Sequence, residues 1–411
     1  MDDRPRGAIL VLPTATAGQQ GPVGAWVSTA GWATATRRVV GDVWIVTPAG
    51  LMSVEDVRRR AAHPQLSAAA PASWRRRLPV IAKTAVKDAR EWRRARTFDI
   101  EPNGPWRGHD VRFVWQRHEL FHTAGIDLAA ALGVPSVLFV PAPLMWQAGQ
   151  WGVRRPGGGH LLEQFGEARI LGRGDLVACG SELVAEQVSR LGVAEARAVI
   201  VRTGFDPDVF NHRADGGAVR RRLGLGSGFV VGWVGSFRKF HGLDQLVDAL
   251  APMSETQLLL VGDGPERSAI EALARRRGVS VVCTGTVPHE DLPAHIAAMD
   301  TAVVMAQPGT DFHYSPLKLA EYLACGVAVI APRAGGIPAQ LADGVDALLV
   351  DPGDVPQLTR LLMWLRDQPE QRARIARQGR ETAVAHWSWD RSVERVVAAL
   401  DRRGTTAPGT R

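Results

Sequence analysis

Asp311-Phe-His-Tyr-Ser-Pro-Leu-Lys-Leu-Ala-Glu-Tyr-Leu-Ala-Cys-Gly326 lies between two short apolar runs, Ala302–Ala306 and Val327–Ala331. Ser315 suits an N-cap and Pro316 the first helical position, so a helix is predicted to start there, just past the strand ending near Ala306. Strand, helix and second strand in that order form the repeating unit of a parallel sheet. The free N–H groups and positive dipole end of such a helix suit a diphosphate. On a helical projection Leu317, Leu319, Ala320, Leu323 and Ala324 share one side, and Lys318, Glu321 and Tyr322 the other. Lys318 can oppose phosphate charge, and Glu321, one turn in, can accept hydrogen bonds from vicinal hydroxyls such as those of a ribose. A solvated Lys318–Glu321 pair is the plainer reading of the same spacing.

Working outward, the same alternation fills the chain. In the first half short apolar runs stand at Ala8–Leu12, Asp42–Thr47, Val111–Gln116, Ser136–Val140, Leu176–Cys179 and Ala198–Arg202. The second half has Phe229–Val234, Gln257–Val261, Val279–Cys283, Ala302–Ala306, Val327–Ala331 and Ala347–Val350. Runs this continuous, separated by helical stretches, are strands buried on both faces. Gly, Asp, Asn and Pro accumulate over Gly204–Gly228 and mark the boundary between the halves. The expected fold class is α/β, two doubly wound Rossmann-like domains facing across a cleft, with ligands at the carboxyl ends of the strands.

With 411 residues, 45% of them hydrophobic and 22% charged, the chain is globular and long enough for two such domains. No apolar run approaches the roughly 20 residues of a membrane-spanning helix. The opening Met1-Asp-Asp-Arg-Pro-Arg6 lacks the layout of a signal peptide. Cys179, Cys283 and Cys325 are scattered and have no ligand-spaced histidines, so neither a disulfide framework nor a zinc site is expected, and the default compartment is the cytoplasm. The net charge of +7 is localised: between Leu51 and Arg96 there are 12 Lys/Arg against 4 Asp/Glu. Such a stretch fits anionic lipid, an acidic acceptor or nucleic acid, but no nucleic-acid module is recognisable. Arg75–Arg96 reads as a basic helix with an apolar side of Leu78, Ile81, Ala82, Ala85, Ala89 and Trp92, either a solvated insert or a peripheral contact at the inner membrane face.

Further motifs carry chemistry. Val230-Val-Gly-Trp-Val-Gly-Ser-Phe-Arg-Lys-Phe-His-Gly242 is a strand followed by a small-residue turn. There Gly235 and Ser236 let backbone approach a ligand, and Arg238, Lys239 and His241 place cations beside it, where they can neutralise a departing pyrophosphate. Val261-Gly-Asp-Gly-Pro-Glu-Arg267 is a strand-to-helix turn around Gly262, and Thr284-Gly-Thr-Val-Pro-His-Glu-Asp-Leu292 follows the next strand and can offer backbone to a nucleobase.

In the order and spacing of these motifs, with Leu348-Leu-Val-Asp-Pro-Gly-Asp354, the chain from about Phe229 to Leu400 resembles the retaining glycosyltransferases of family 4, which have the GT-B fold. The first half resembles them through Trp115-Gln-Arg-His-Glu-Leu-Phe121, Leu132-Gly-Val-Pro-Ser-Val-Leu138 and Val201-Arg-Thr-Gly-Phe-Asp-Pro-Asp-Val-Phe210. The resemblance implies an acceptor domain at 1–208 with 51–108 as a variable basic insert, a nucleotide-sugar domain at 209–388, and a crossover helix with a disordered tail at 389–411. It implies that Glu321 holds the donor ribose, that Arg238 faces the diphosphate, that amides near Ser315, Pro316 and Leu317 cradle phosphate, that Val287 lies by the base, and that Gly21 approaches the donor. Many family members have a glutamate eight residues before Glu321; here that position is His313, with Tyr314 beside it, and Asp311 is the substitute acid. The family's loop lysine is His241 here, leaving Arg238 and Lys239 as the fixed charge.

For the acceptor, Arg117, His118 and His122 follow the Val111–Gln116 strand, and either histidine can orient or deprotonate a hydroxyl. Trp146 and Trp151 can stack on a sugar or aromatic acceptor. No metal constellation is read and no cofactor is expected; the co-substrate is a UDP- or GDP-sugar. The expected activity is retaining, metal-independent transfer to a cell-surface glycan, glycolipid or natural product. The alternatives are a sugar-nucleotide epimerase on the same scaffold and a silent nucleotide-sugar-binding protein.

Overall fold

The computed structural model describes residues 4–13, 23–62, 80–150, 153, 155, 158–309 and 317–405. They divide into two units, Met1–Arg202 with Trp389–Arg411, and Thr203–Ser388.

The first unit is built on β1 (Arg6–Val11), β2 (Asp42–Thr47), β3 (Gly50–Met52), β4 (Asp110–Arg117), β5 (Ser136–Val140), β6 (Leu176–Cys179) and β7 (Ala198–Ile200), in the order β3-β2-β1-β4-β5-β6-β7. All neighbours run parallel except β3, which pairs antiparallel with β2 through Ile45 and Met52. The sequence reading has no β3, because three residues at an exposed edge are too few to show a period. Parts of 51–108 are built into this unit: besides β3, Ile100 and Trp106 join the core cluster of Ile9, Val11 and Val114. Trp32, Trp115 and Phe139 pack with centroids 5.5 Å apart, and Trp389 of the final helix reaches Trp32 at 6.2 Å. That tryptophan passes directly over Gly31, where a Cβ would collide with its indole nitrogen. The final helix, Trp389–Thr405, is thereby fastened to the first unit.

The second unit is a wholly parallel sheet of β8 (Phe229–Val234), β9 (Thr256–Val261), β10 (Ser280–Cys283), β11 (Thr301–Val303), β12 (Ala328–Pro332) and β13 (Leu348–Val350), in the order β10-β9-β8-β11-β12-β13. Both faces are covered, by a cluster around Tyr322, Leu323 and Ile296 and by another around Leu246, Leu250 and Leu362. The strand order reverses between β1 and β4 in the first unit and between β8 and β11 in the second. Neighbouring connections leave to opposite faces at such points and open a crevice at the carboxyl ends of the strands.

Candidate active site

At the switch point of the second unit, the loops after β8, β9 and β10 are laced by backbone bonds. Gly235 N donates to the Val261 carbonyl and Gly262 N to that of Gly285, both at 2.9 Å, and Phe237 N donates to the Asp263 carbonyl at 3.1 Å. Main chain passes main chain so closely that a Cβ on Gly262 would collide with the Gly235 carbonyl oxygen, and one on Gly264 would lie 2.6 Å from Phe237 N. Ser236, Arg238 and Lys239 stand exposed on the turn after β8, and among the described residues neither cation is ion-paired. His241 is different. It is buried against Trp233, edge-on at 5.2 Å, and burial, reinforced by Lys318 and Arg238, pushes its imidazole down to about 3. This corrects the reading of His241 as a cation: it is neutral near pH 7.

Leu317–Ala324 forms a helix that puts Leu319, Ala320, Tyr322 and Leu323 into the core. The Tyr322 hydroxyl accepts a hydrogen bond from Val234 N at 2.6 Å, so it ties the helix to β8 and does not share a ligand-facing side with Lys318 and Glu321. Nor do Lys318 and Glu321 pair with one another. The Lys318 ammonium lies 4.1 Å over the Trp233 ring and against Gly235, and desolvation lowers it to about 7, with Glu321 opposing. Glu321 is 4% exposed, and its Oε1 is 2.8 Å from Nε2 of His289. His289 was not singled out from the sequence; its signal was a histidine just past a strand in Thr284–Leu292. Val287, from the same loop, packs against the core. Gly21, Trp151, Asp311, His313, Tyr314, Ser315 and Pro316 lie outside the described residues.

In the first unit three side chains at and just after the end of β4 each meet a carboxylate. His118, fully enclosed, is 3.0 Å from Oε1 of Glu167, whose two oxygens also accept from Leu144 N and Met145 N at 2.5 and 3.0 Å. Glu167 sits in a π-helical turn, Gln164–Ala168, a distortion common at functional sites and invisible to a 3.6-residue period. His122 is 3.0 Å from Glu91, and this bond is the main reason the Glu91 carboxyl is held below its usual range. Arg117 Nη1 donates to Ser28 Oγ at 3.1 Å, while its Nε is 3.6 Å from Glu119. Burial lowers Arg117 and raises Glu119, each opposed by the other's charge. Phe121 takes φ +70°, a conformation that a bulky residue adopts only when its surroundings impose it. Trp146 packs on the cluster around Leu138 and Val184.

The helix Val80–Thr97 docks differently from its sequence reading. Its inward side is polar: Asp88 pairs with Arg155 at 2.8 Å and Glu91 with His122. Of its expected apolar side, Ala85, Ala89 and Trp92 are exposed together with Lys83, Lys87, Arg90, Arg93 and Arg96, Ala82 is half-buried, and the side chains of Leu78 and Ile81 lie outside the described residues. One Asp-X-Asp triplet does occur, Asp206-Pro-Asp208, and it closes its own turn, with Asp208 N donating to Asp206 Oδ1 at 3.2 Å.

Residues 228–368 match the family described as "Glycosyl transferases group 1". Over that segment, which lies within the second unit, the chain is similar to the group 1 glycosyltransferases. It is 34% identical, over 49% of its length and 55% of the relative's, to the GDP-mannose-dependent alpha-(1-6)-phosphatidylinositol monomannoside mannosyltransferase of Mycolicibacterium smegmatis. Identity is 29%, over 71% of the chain and 74% of the relative, to the D-inositol 3-phosphate glycosyltransferase of Acidothermus cellulolyticus. The matches span about half the length of the first curated relatives, 55%, 43% and 45%. Among solved structures, HepE of Anabaena in complex with UDP is similar in fold, with TM-score 0.66 and 18% identity over 96% of this chain and 100% of that one. The fold is therefore GT-B, built from two Rossmann-like sheets.

Proposed function

We propose that this protein transfers a glycosyl group, with retention, from a nucleoside-diphosphate sugar to a hydroxylated acceptor. The observation that carries the reading is in the second unit: Arg238 and Lys239, exposed and without an ion pair among the described residues, Lys318 over Trp233 and the buried Glu321 border loops whose glycines admit a ligand's backbone-close approach. Glu321 takes the ribose hydroxyls, while Arg238, Lys239 and Lys318 neutralise the diphosphate as it departs. The bond from anomeric carbon to phosphate oxygen breaks, the acceptor oxygen bonds to that carbon on the same face, and its proton passes to the departing phosphate oxygen. In the first unit the loop after β4 is the acceptor side, with Arg117 at its start; the enclosed His118 and His122, held by Glu167 and Glu91, shape it and do not reach the acceptor hydroxyl.

The donor is a GDP- or UDP-sugar; a GDP-mannose-dependent relative and a UDP-bound structural neighbour support both. The acceptor favoured is a glycolipid with an anionic headgroup, as in the name of the mycobacterial relative. The exposed basic face of Val80–Thr97, with Val86 and Trp92 at its surface, fits peripheral contact with an anionic bilayer. No helix among the described residues is long and apolar enough to cross a membrane.

The test is thermal-shift ranking of UDP, GDP and TDP, followed by a transfer assay with the matching sugar nucleotide on anionic vesicles containing phosphatidylinositol mannosides. A ligand at 100 times its Kd adds about 2.7 kcal/mol of stability. Acceptor-dependent release of nucleoside diphosphate with an α-linked product from an α-donor is expected. Conversion of donor alone to a second sugar nucleotide would instead reveal an epimerase.

A further inference from the structure

His289 has no part in the mechanism above, yet it is the hydrogen-bond partner of Glu321. It follows Pro288 in the loop after β10, at the start of the turn His289–Asp291, on a different element from the helix that carries Glu321. Its ring rests against Phe210, centroid to centroid 5.0 Å, and Phe210 is itself in the core. The imidazole is therefore held by packing on one side and presents Nε2 to Oε1 of Glu321 at 2.8 Å. An ionised carboxylate only accepts, so Nε2 carries the proton. Among the described residues His289 gives the Glu321 carboxylate its one hydrogen bond, and Oε2 remains open as an acceptor.

We propose that His289 is a positioning residue for the donor: it fixes the Glu321 carboxylate so that the free oxygen meets the ribose hydroxyls, and so sets selection for ribonucleotides over 2′-deoxyribonucleotides. The inference rests on the reading of Glu321 as the ribose acceptor. Without His289 a buried carboxylate on a short side chain can turn about its terminal bonds, and its alignment with a rigid pair of hydroxyls is lost. A carboxylate that accepts from a hydroxyl discriminates against the analogue lacking that hydroxyl, because the buried oxygen is then left unpaired.

The experiment measures, on the full chain by calorimetry, the Kd of UDP or GDP (whichever binds) and of its 2′-deoxy counterpart, alongside donor KM and kcat. In the unaltered protein the ribonucleotide should bind about 10- to 100-fold more tightly, the range of a charge-assisted hydrogen bond. His289→Phe keeps a ring against Phe210 but removes the N–H, and should bring that ratio within about threefold while raising donor KM and leaving kcat within about twofold. His289→Gln retains an amide N–H within reach and should restore most of the ratio; His289→Ala serves in its place if the phenylalanine variant does not fold. An unchanged ratio in His289→Phe, with Glu321→Ala abolishing it, would overturn the role of His289. If Glu321→Ala itself keeps the ratio, the ribose reading fails instead.

Discussion

Lys318 yields the most quantitative prediction. Its ammonium lies over the Trp233 ring and against Gly235, and desolvation brings it down to about 7 from an ordinary 10.5. A lowered lysine is charged below its folded pKa and neutral above it, so the unliganded site at pH 8 holds roughly one-tenth of a proton on Lys318. A bound diphosphate restores the missing opposite charge and raises the pKa, and the site must then take up a proton from solution. The uptake should be about 0.9 proton per nucleotide at pH 8, about 0.5 at pH 7 and about 0.1 at pH 6. Protonating the site at pH 8 costs about 1.4 kcal/mol, so Lys318 should make nucleoside-diphosphate affinity fall about tenfold from pH 6 to pH 8. Calorimetric titrations at each pH in HEPES and in Tris, whose ionisation enthalpies differ, give the proton count directly. Lys318→Met, similar in length and able to stay on the tryptophan, should abolish the uptake and flatten the pH dependence. Uptake below about 0.2 proton at pH 8 would refute the lowered pKa of Lys318, and equal uptake in Lys318→Met would refute its placement against the diphosphate. The sign for folding is the reverse of a salt bridge: because the unfolded pKa is the higher one, the unliganded protein should gain stability as pH rises from 7 towards 10.5.

Arg238→Ala removes an exposed cation with no ion pair among the described residues, so folding stability should change by less than about 0.5 kcal/mol while kcat falls roughly 10- to 100-fold; equal kcat would take Arg238 out of the leaving-group site. Gly31→Ala drives a methyl group into the Trp389 indole and should destabilise the first unit by about 1–3 kcal/mol, seen in urea unfolding followed by tryptophan fluorescence. Glu167→Ala strips the acceptor from His118 and from two backbone amides, a loss of about 2–4 kcal/mol in the same assay, and Glu167→Gln should recover part of it.

The parallel sheets and the glycine turns after β8 and β9 were legible because their signals are local. A β-branched run flanked by glycine has one favourable backbone state, and the residues that need it are adjacent in the chain. The same holds for the position of Glu321, which one helical turn past the cap defines without reference to anything distant. What those side chains do was settled elsewhere. His241 looks like a third cation in Arg238-Lys-Phe-His241, but burial against Trp233 makes it neutral. Tyr322 projects beside Lys318 on a helical wheel, but a wheel knows nothing of β8, whose Val234 amide claims its hydroxyl. The helix Val80–Thr97 has an apolar stripe by composition, but Glu91 and Asp88 find partners at positions 122 and 155, and Ala85, Ala89 and Trp92 face outward. Glu167–His118 and His289–Glu321 join residues 49 and 32 positions apart. The chain by itself determined the two sheets, their turns and where the ligand-bearing loops fall, since short-range geometry suffices for these. Only the tertiary structure decided which charges survive and which partners they keep, because desolvation and pairing depend on atoms brought together from remote parts of the sequence.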